Sequence, residues 1–302
     1  MPHTLLRHVL STLVAMLAAL AVISTAGAAT TNYTVTAPDG VTLAVQESGN
    51  PSGPAIVLIH GLLGSHLNWD AQVDSALLQR YRIITYDLRG HGLSGKPAGT
   101  AAYLDGRRWA DDLAAVIASS HANRPVLVGW SLGGAVISNY LAAHGDSRIA
   151  GAVYVDGVIE LKADQLVAHA DIYRDIISAD LKTHLDGERA FLGQCFHTQP
   201  DTATADRLLA NAAMASWDMQ RAVPSMTVAA AEGLGNTRVP VLLLYGERDA
   251  LVNTHGAIAR AKAIAPRVQI RLYANSGHAP FIEEPARFNR DLADFVDRVA
   301  TH

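Results

Sequence analysis

Hydrophobic and polar positions along the chain follow two different rhythms. From residue 33 onward, short β-rich runs alternate with longer stretches of helical spacing. Tyr33–Thr36 and Thr42–Gln46 flank the turn dipeptide Asp39-Gly40, which predicts a hairpin. Runs of buried-strand type follow at Ala55–Ile59, Tyr81–Tyr86, Val126–Val128 and Ile149–Val155. Helical candidates lie between them at Asp70–Gln79, Trp109–Ser120 and Leu132–Ala143. A strand that is apolar on both faces needs cover on both sides, so this alternation predicts parallel strands joined by right-handed crossovers. The same rhythm resumes with a strand at Val239–Tyr245, a helix over 254–264, a strand at Val268–Leu272 and a closing helix from Arg287 to Ala300.

The second rhythm occupies Val158 to Gly235, which is rich in Ala, Leu, Met and Asp at helical spacing and has no β-rich run. The expected architecture is therefore an α/β fold with a mostly parallel central sheet flanked by helices. Its core spans 29–157 and 236–302, and residues 158–235 form a helical cap inserted after the sixth strand. Such an insert at the C-terminal ends of parallel strands can cover a ligand crevice. The alternative is that it merely extends the core.

A different pattern stands at the front. Arg7 precedes an apolar run from Val9 to Ile23, and Ala26-Gly27-Ala28 follows. A basic start, an apolar centre and a small-residue end predict a signal peptide over residues 1–28, hence a periplasmic or extracellular protein. The run is a little short of the roughly 20 apolar residues of a spanning helix, and the alternative is an uncleaved membrane anchor.

Composition narrows the function classes. The 302 residues are 49% hydrophobic and 17% charged, which excludes a largely disordered chain. A formal charge of −4 supplies no basic footprint, so no nucleic-acid partner is expected. The single cysteine, Cys195, excludes an intrachain disulfide and a multi-cysteine metal site, and no metal or organic cofactor is implied.

The chemistry concentrates at strand ends. Ser131 is centred in Gly129-Trp130-Ser131-Leu132-Gly133, with an apolar run before it and helix-compatible residues after it. A strand–turn–helix of this kind projects a hydroxyl above the sheet edge, beside the free N–H groups of a helix N-terminus. A serine hydroxyl needs a base, and His278 follows the last strand on the same edge. The base needs an acid, and Asp249 follows the strand ending at Tyr245, giving the chain order Ser131, Asp249, His278. Asp156, just past Val155, is the rival acid. Oxyanion donors are expected from the backbone N–H groups of Leu132 and of Leu62 in His60-Gly61-Leu62-Leu63-Gly64. His60 reads as a structural hydrogen-bonder, and Phe191, Met214 and Trp217 are candidates for a substrate pocket.

These motifs, with Asp87-Leu88-Arg89-Gly90-His91-Gly92-Leu93-Ser94 and Gly277-His278, stand in the order of a known family. From residue 33 to 300 the chain resembles the α/β-hydrolase fold family in its capped, serine-dependent form. The resemblance implies that the Asp87–Ser94 loop is structural and that Trp130 points into the core behind the serine. Serine rather than aspartate at 131 favours acyl transfer, hence esters of small to medium acyl or alkyl groups. Lactones, amides, perhydrolysis of the haloperoxidase type and carbon–carbon bond hydrolysis are the alternatives on the same triad. A non-catalytic binding protein is disfavoured because all three triad positions are filled. The expected partner is a small ester-type molecule.

Overall fold

The computed structural model describes residues 30–300, so the targeting segment expected over 1–28 lies outside the described residues. Eight strands form one sheet. They are β1 (Thr31–Thr36), β2 (Thr42–Gly49), β3 (Ala55–Ile59), β4 (Arg82–Tyr86), β5 (Val126–Trp130), β6 (Gly151–Val155), β7 (Val241–Gly246) and β8 (Gln269–Tyr273). Their spatial order is β1-β2-β4-β3-β5-β6-β7-β8. Only β2 runs against its neighbours β1 and β4, and the other pairings are parallel. The strands whose sequences are apolar throughout, β3, β5, β6 and β7, are buried at every position. The edge strands β1 and β8 keep exposed residues, as strands with one uncovered side do.

This order has a functional consequence. From β3 the chain moves outward to β4, then crosses back to place β5 on the other side of β3. A crevice opens beyond the C-terminal ends of two strands where the winding reverses. The loops that leave β3 and β5, carrying Leu62 and Ser131, meet at that point.

Helices cover the sheet because each has an apolar stripe. Pro285–Ala300 buries Phe288, Leu292, Phe295 and Val296, spaced for one helical face. Gly106–Ser120 buries Trp109, Leu113, Val116 and Ile117, and its first turn is capped by the Asp105 carboxylate accepting from Arg107 N–H. Leu132–His144 is buried along most of its length, in keeping with its lack of a polar face.

The helix expected over Asp70–Gln79 is a correction. It runs only from Asp70 to Val73, and a 3-10 turn follows at Leu78–Arg80. The ladder stops where Ser75 N–H bonds to the Gln72 carbonyl at 3.2 Å, three residues back. The apolar residues of this stretch share no buried face: Ala71, Ala76 and Leu77 are exposed, and of the five only Leu78 is buried. Its anchor is polar instead: the Gln72 amide donates to the Phe281 carbonyl at 2.9 Å and to Asn289 Oδ1 at 3.0 Å.

Between β6 and β7 the chain is helical, with helices at Ala170–Asp175, Leu181–Gln194, Thr202–Ala212 and Trp217–Ala222. Asp180, Asp201 and Ser216 cap three of them through bonds to the N–H groups of Thr183, Thr204 and Met219. An isolated bridge between Leu166 and Val252 ties this segment to the loop after β7. Among the described residues no helix is long and apolar enough to cross a membrane.

The loop Asp87–Ser94 is locked from below. Arg89 is buried and makes a fork to Asp112, with Nε to Oδ2 and Nη2 to Oδ1 both at 2.7 Å. Asp87 accepts from the backbone N–H groups of His66 and Leu93, each at 2.7 Å. Arg89→Ala leaves the Asp112 carboxylate buried without its partner. The expected loss in urea unfolding is about 3–5 kcal/mol.

Candidate active site

Ser131 sits between β5 and the helix that begins at Leu132, with φ 52° and ψ −116°. A side-chain-bearing residue there costs about 1–3 kcal/mol, so its surroundings must hold it. They do so through the backbone: Ser131 N–H donates to the Val155 carbonyl at 3.0 Å. Its own carbonyl accepts from Gly134 and Val158 N–H, both at 2.9 Å. The flanking glycines are required by space, as the motif predicts. A Cβ on Gly129 would lie 2.4 Å from the Gly133 carbonyl oxygen, and one on Gly133 would lie 2.5 Å from that of Ile59.

His278, in the loop after β8, is buried, and its Nδ1 lies 2.7 Å from Asp249 Oδ2. A carboxylate can only accept, so Nδ1 carries the proton and Nε2 presents a lone pair. Nε2 is buried with no hydrogen-bond partner among the described residues. The other oxygen of Asp249 accepts from Leu251 N–H at 2.7 Å and Val252 N–H at 3.0 Å, which fixes the carboxylate's rotation. Of the two acids weighed from the sequence, Asp249 is the one bonded to His278. Asp156 lies beside it, buried, with Oδ1 accepting from Gly246 N–H at 2.8 Å.

Sequence reasoning missed the link between the serine turn and the histidine loop. Trp130 is buried as expected, but its indole N–H donates to the His278 carbonyl at 2.6 Å across a separation of 148 residues. The histidine loop is held again where Gly277 N–H donates to Glu283 Oε1 at 2.8 Å. No periodicity announces either contact. Trp130→Phe keeps an aromatic side chain, though a smaller one, and deletes the donor, leaving a buried carbonyl short of its partner. The expected cost is about 1–3 kcal/mol by urea denaturation.

A cavity of about 210 Å³ opens onto Ser131. Leu62 and Leu132 line it from the sheet side, and Tyr173, Phe191 and Val223 from the helical segment. None of its lining residues is charged. Leu132 is the first residue of its helix, so its N–H has no helical carbonyl to serve. Leu62 lies in a turn closed by Gly64 N–H on the Gly61 carbonyl at 3.1 Å, and Leu63 within it has φ 60°. Of the three pocket candidates, Phe191 lines this cavity. Met214 is 45% exposed and outside the lining, and Trp217 stacks on His184 at 4.0 Å between centroids.

The other histidines near the site are engaged as structure. His60 is buried, with Nδ1 2.7 Å from the Gly61 carbonyl and Nε2 accepting from Leu88 N–H at 2.9 Å. Burial pushes its pKa down to about 4, so it is neutral and fully bonded. Cys195 is buried and its thiol is pushed far up by burial, which keeps it protonated and unreactive.

A doubly wound sheet, a strained serine turn after β5 and a histidine–carboxylate pair from the ends of β8 and β7 define the α/β-hydrolase architecture. Residues 56–291 match the alpha/beta hydrolase family, and the chain belongs to it. A crystal structure from Burkholderia cenocepacia, of a protein assigned as an aryl esterase, is 69% identical, with a TM-score of 0.89 over 90% of this chain and 100% of that one. An esterase from a Rhodococcus species is 31% identical, with a TM-score of 0.81 over 89% of this chain and 99% of that one. A bifunctional esterase/perhydrolase of Acinetobacter calcoaceticus is 26% identical over 283 residues, covering 87% of this chain and 98% of its own. The chain is thus an esterase-like α/β hydrolase.

Proposed function

We propose that this protein is an exported serine hydrolase that cleaves carboxylic esters of small to medium acyl or alkyl groups. The observation that carries the proposal is the free Nε2 of His278, oriented by Asp249 and set in the loop that Trp130 ties to the Ser131 turn. His278 takes the Ser131 proton as Oγ attacks the ester carbonyl. The N–H groups of Leu62 and Leu132 hold the developing oxyanion. The imidazolium then protonates the leaving alcohol, and a water activated by the same imidazole releases the acid. Asp249 holds the productive tautomer and stabilises the imidazolium. The chain needs no cofactor for these steps.

The apolar cavity supports an uncharged substrate, with residues 158–235 acting as the cap that sets acyl length. A carboxylate-bearing acyl group such as succinyl would have to enter that cavity without a charged partner. Its p-nitrophenyl ester should show a kcat/KM lower by on the order of 100-fold than an uncharged acyl group of equal length. Perhydrolysis is the second reading, favoured by the Acinetobacter relative. It would use the same acyl-enzyme, with hydrogen peroxide in place of water.

The test is a chain-length series of p-nitrophenyl esters run beside a lactone and an amide, with fluorophosphonate labelling of Ser131. Ester turnover with labelling at Ser131 is expected. A protein that turns over none of these substrates and resists the probe would overturn the proposal. Export is tested separately, by whether the mature N-terminus begins after residue 28.

A further inference from the structure

Asp156 is the rival acid that His278 does not bond, yet the fold goes to some length to hold it there. It is fully buried and has φ 41°, in the left-handed region that side-chain-bearing residues seldom occupy. Its N–H donates to the Leu244 carbonyl at 2.9 Å, and its Oδ1 accepts from Gly246 N–H at 2.8 Å. Oδ2 is buried and has no hydrogen-bond partner among the described residues. Oxygens of Asp156 and Asp249 and a ring nitrogen of His278 all lie within 4.8 Å of one another. An oxygen of Asp156 thus lies within 4.8 Å of an oxygen of Asp249, with both side chains buried.

Two ionised carboxylates buried this close repel each other, and neither has a proton to donate to the other. The same arrangement is complete if one of them is a carboxylic acid. Asp249 is already the acceptor for one imidazole N–H and two backbone N–H groups. Asp156 has one such donor and an otherwise orphaned oxygen. The proton therefore belongs on Asp156.

We propose that Asp156 is a neutral carboxylic acid that donates its Oδ2 proton to Asp249, and so is a positioning residue for the acid that orients His278. This rests on the esterase reading only for its kinetic consequences. The surrounding charges agree. Burial, then the charge of Asp249, raises the Asp156 carboxyl well above its usual range, and Glu283 from the helix Pro280–Glu283 acts in the same direction. Tyr245 on β7 also feels Asp156, and burial keeps its phenol protonated. The charges that act on Asp156, those of Asp249 and Glu283, are both negative. The arrangement gives Asp249 a fourth hydrogen bond without adding a negative charge beside the imidazole.

The linkage sign follows. Folded Asp156 keeps its proton at pH values where the unfolded side chain has lost it. Its contribution to stability therefore falls as pH rises above the usual carboxylate range. An asparagine at 156 mimics the acid: its carbonyl can accept from Gly246 N–H and its amide can donate to Asp249, but it cannot titrate.

The experiment compares the full-length protein with Asp156→Asn and Asp156→Ala. The infrared difference spectrum between wild type and D156N at pH 7 should show the C=O stretch of a protonated carboxyl in the wild type. Absence of that band overturns the proposal. D156A should lose on the order of 10- to 100-fold in kcat with little change in KM, because Asp249 keeps only its bonds to Leu251, Val252 and His278 and is positioned less tightly. D156N should recover all but about threefold of wild-type kcat, because the hydrogen bonds are retained. The acid limb of kcat/KM should stay in place in D156N, whereas a limb displaced to lower pH means that a negative charge was removed. That displacement, or equal kcat in D156A and D156N, also overturns the proposal. If D156A does not fold, the infrared band and the D156N limb decide. D156N should also gain stability relative to wild type as pH rises from 5 to 8. Neither the infrared nor the stability measurement uses turnover. A failed esterase reading therefore shows up as absent ester turnover and probe labelling, or as retained activity in a serine variant, with the carboxyl band still present.

Discussion

Ser131→Ala should reduce ester turnover by about 10⁵- to 10⁶-fold in kcat, leaving only the residual catalysis of binding and oxyanion contacts. The loss is large because the hydroxyl is the atom that forms the acyl-enzyme, and no second nucleophile faces the cavity. Among its lining residues only Ser131 and Tyr173 carry a hydroxyl. Tyr173 cannot substitute, since burial raises its phenol above its usual range and keeps it protonated. The fold should be untouched, because the turn is held by the backbone bonds of Ser131 to Val155, Gly134 and Val158, which an alanine keeps. Thermal unfolding of the variant should therefore match wild type within about 0.5 kcal/mol, the range of substitutions that break no such feature. A Ser131→Gly variant removes the strain at φ 52° as well, and should be inactive but no less stable. Measured turnover of either variant near the wild-type rate would remove serine from the mechanism.

Asp249→Asn should lower kcat by about 10⁴-fold while leaving substrate binding nearly intact. The carboxylate accepts the Nδ1 proton of His278 at 2.7 Å, and this keeps the lone pair on Nε2. An asparagine at 249 must still accept from Leu251 and Val252 N–H, since both point at the inner oxygen. Its amide nitrogen is then turned toward His278 and donates where the carboxylate accepted. The imidazole is driven to the opposite tautomer, with the proton on Nε2, where it cannot take one from serine. The contrast with Asp156 is informative: the same Asp-to-Asn change is severe at 249 and mild at 156. The first group must carry a charge and the second must carry a proton. Steady-state kinetics of the two variants side by side would distinguish the roles.

The strands were the most legible part of the molecule. Ala55–Ile59, Val126–Val128 and Ile149–Val155 read as buried strands because a parallel sheet covered on both faces leaves no polar alternation in the sequence. The serine turn was legible for a local reason as well. Gly129 and Gly133 leave less room than a methyl group needs, and a motif spanning five residues records that constraint. The segment over 70–79 has helical spacing but departs from a helix because its apolar residues Ala71, Ala76 and Leu77 are exposed and give it no core-facing stripe. Gln72, whose amide bonds Phe281 and Asn289 more than 200 residues away, anchors it instead. Side-chain directions in the helical segment were not legible either. Phe191 reaches the cavity while Met214 points to solvent and Trp217 lies on His184, although all three have similar composition contexts.

Local spacing alone sufficed for the parallel sheet, the strained turn at Ser131, and the positions of Asp249, Asp156 and His278 at strand ends, because each depends on constraints among near neighbours in the chain. Three things needed the folded chain. The reversal of winding between β3 and β5 opens the crevice at Ser131. The Trp130 indole bond joins the serine turn to the histidine loop. The bond from Asp249 to His278, with Asp156 buried at its back, assigns different protonation to two acids that look alike in sequence. A carboxyl group's charge is set by burial and by the donors that converge on it. Those donors come from β7, the loop that leaves it and the loop after β8, and they meet Asp156 at the end of β6 only in the folded sheet.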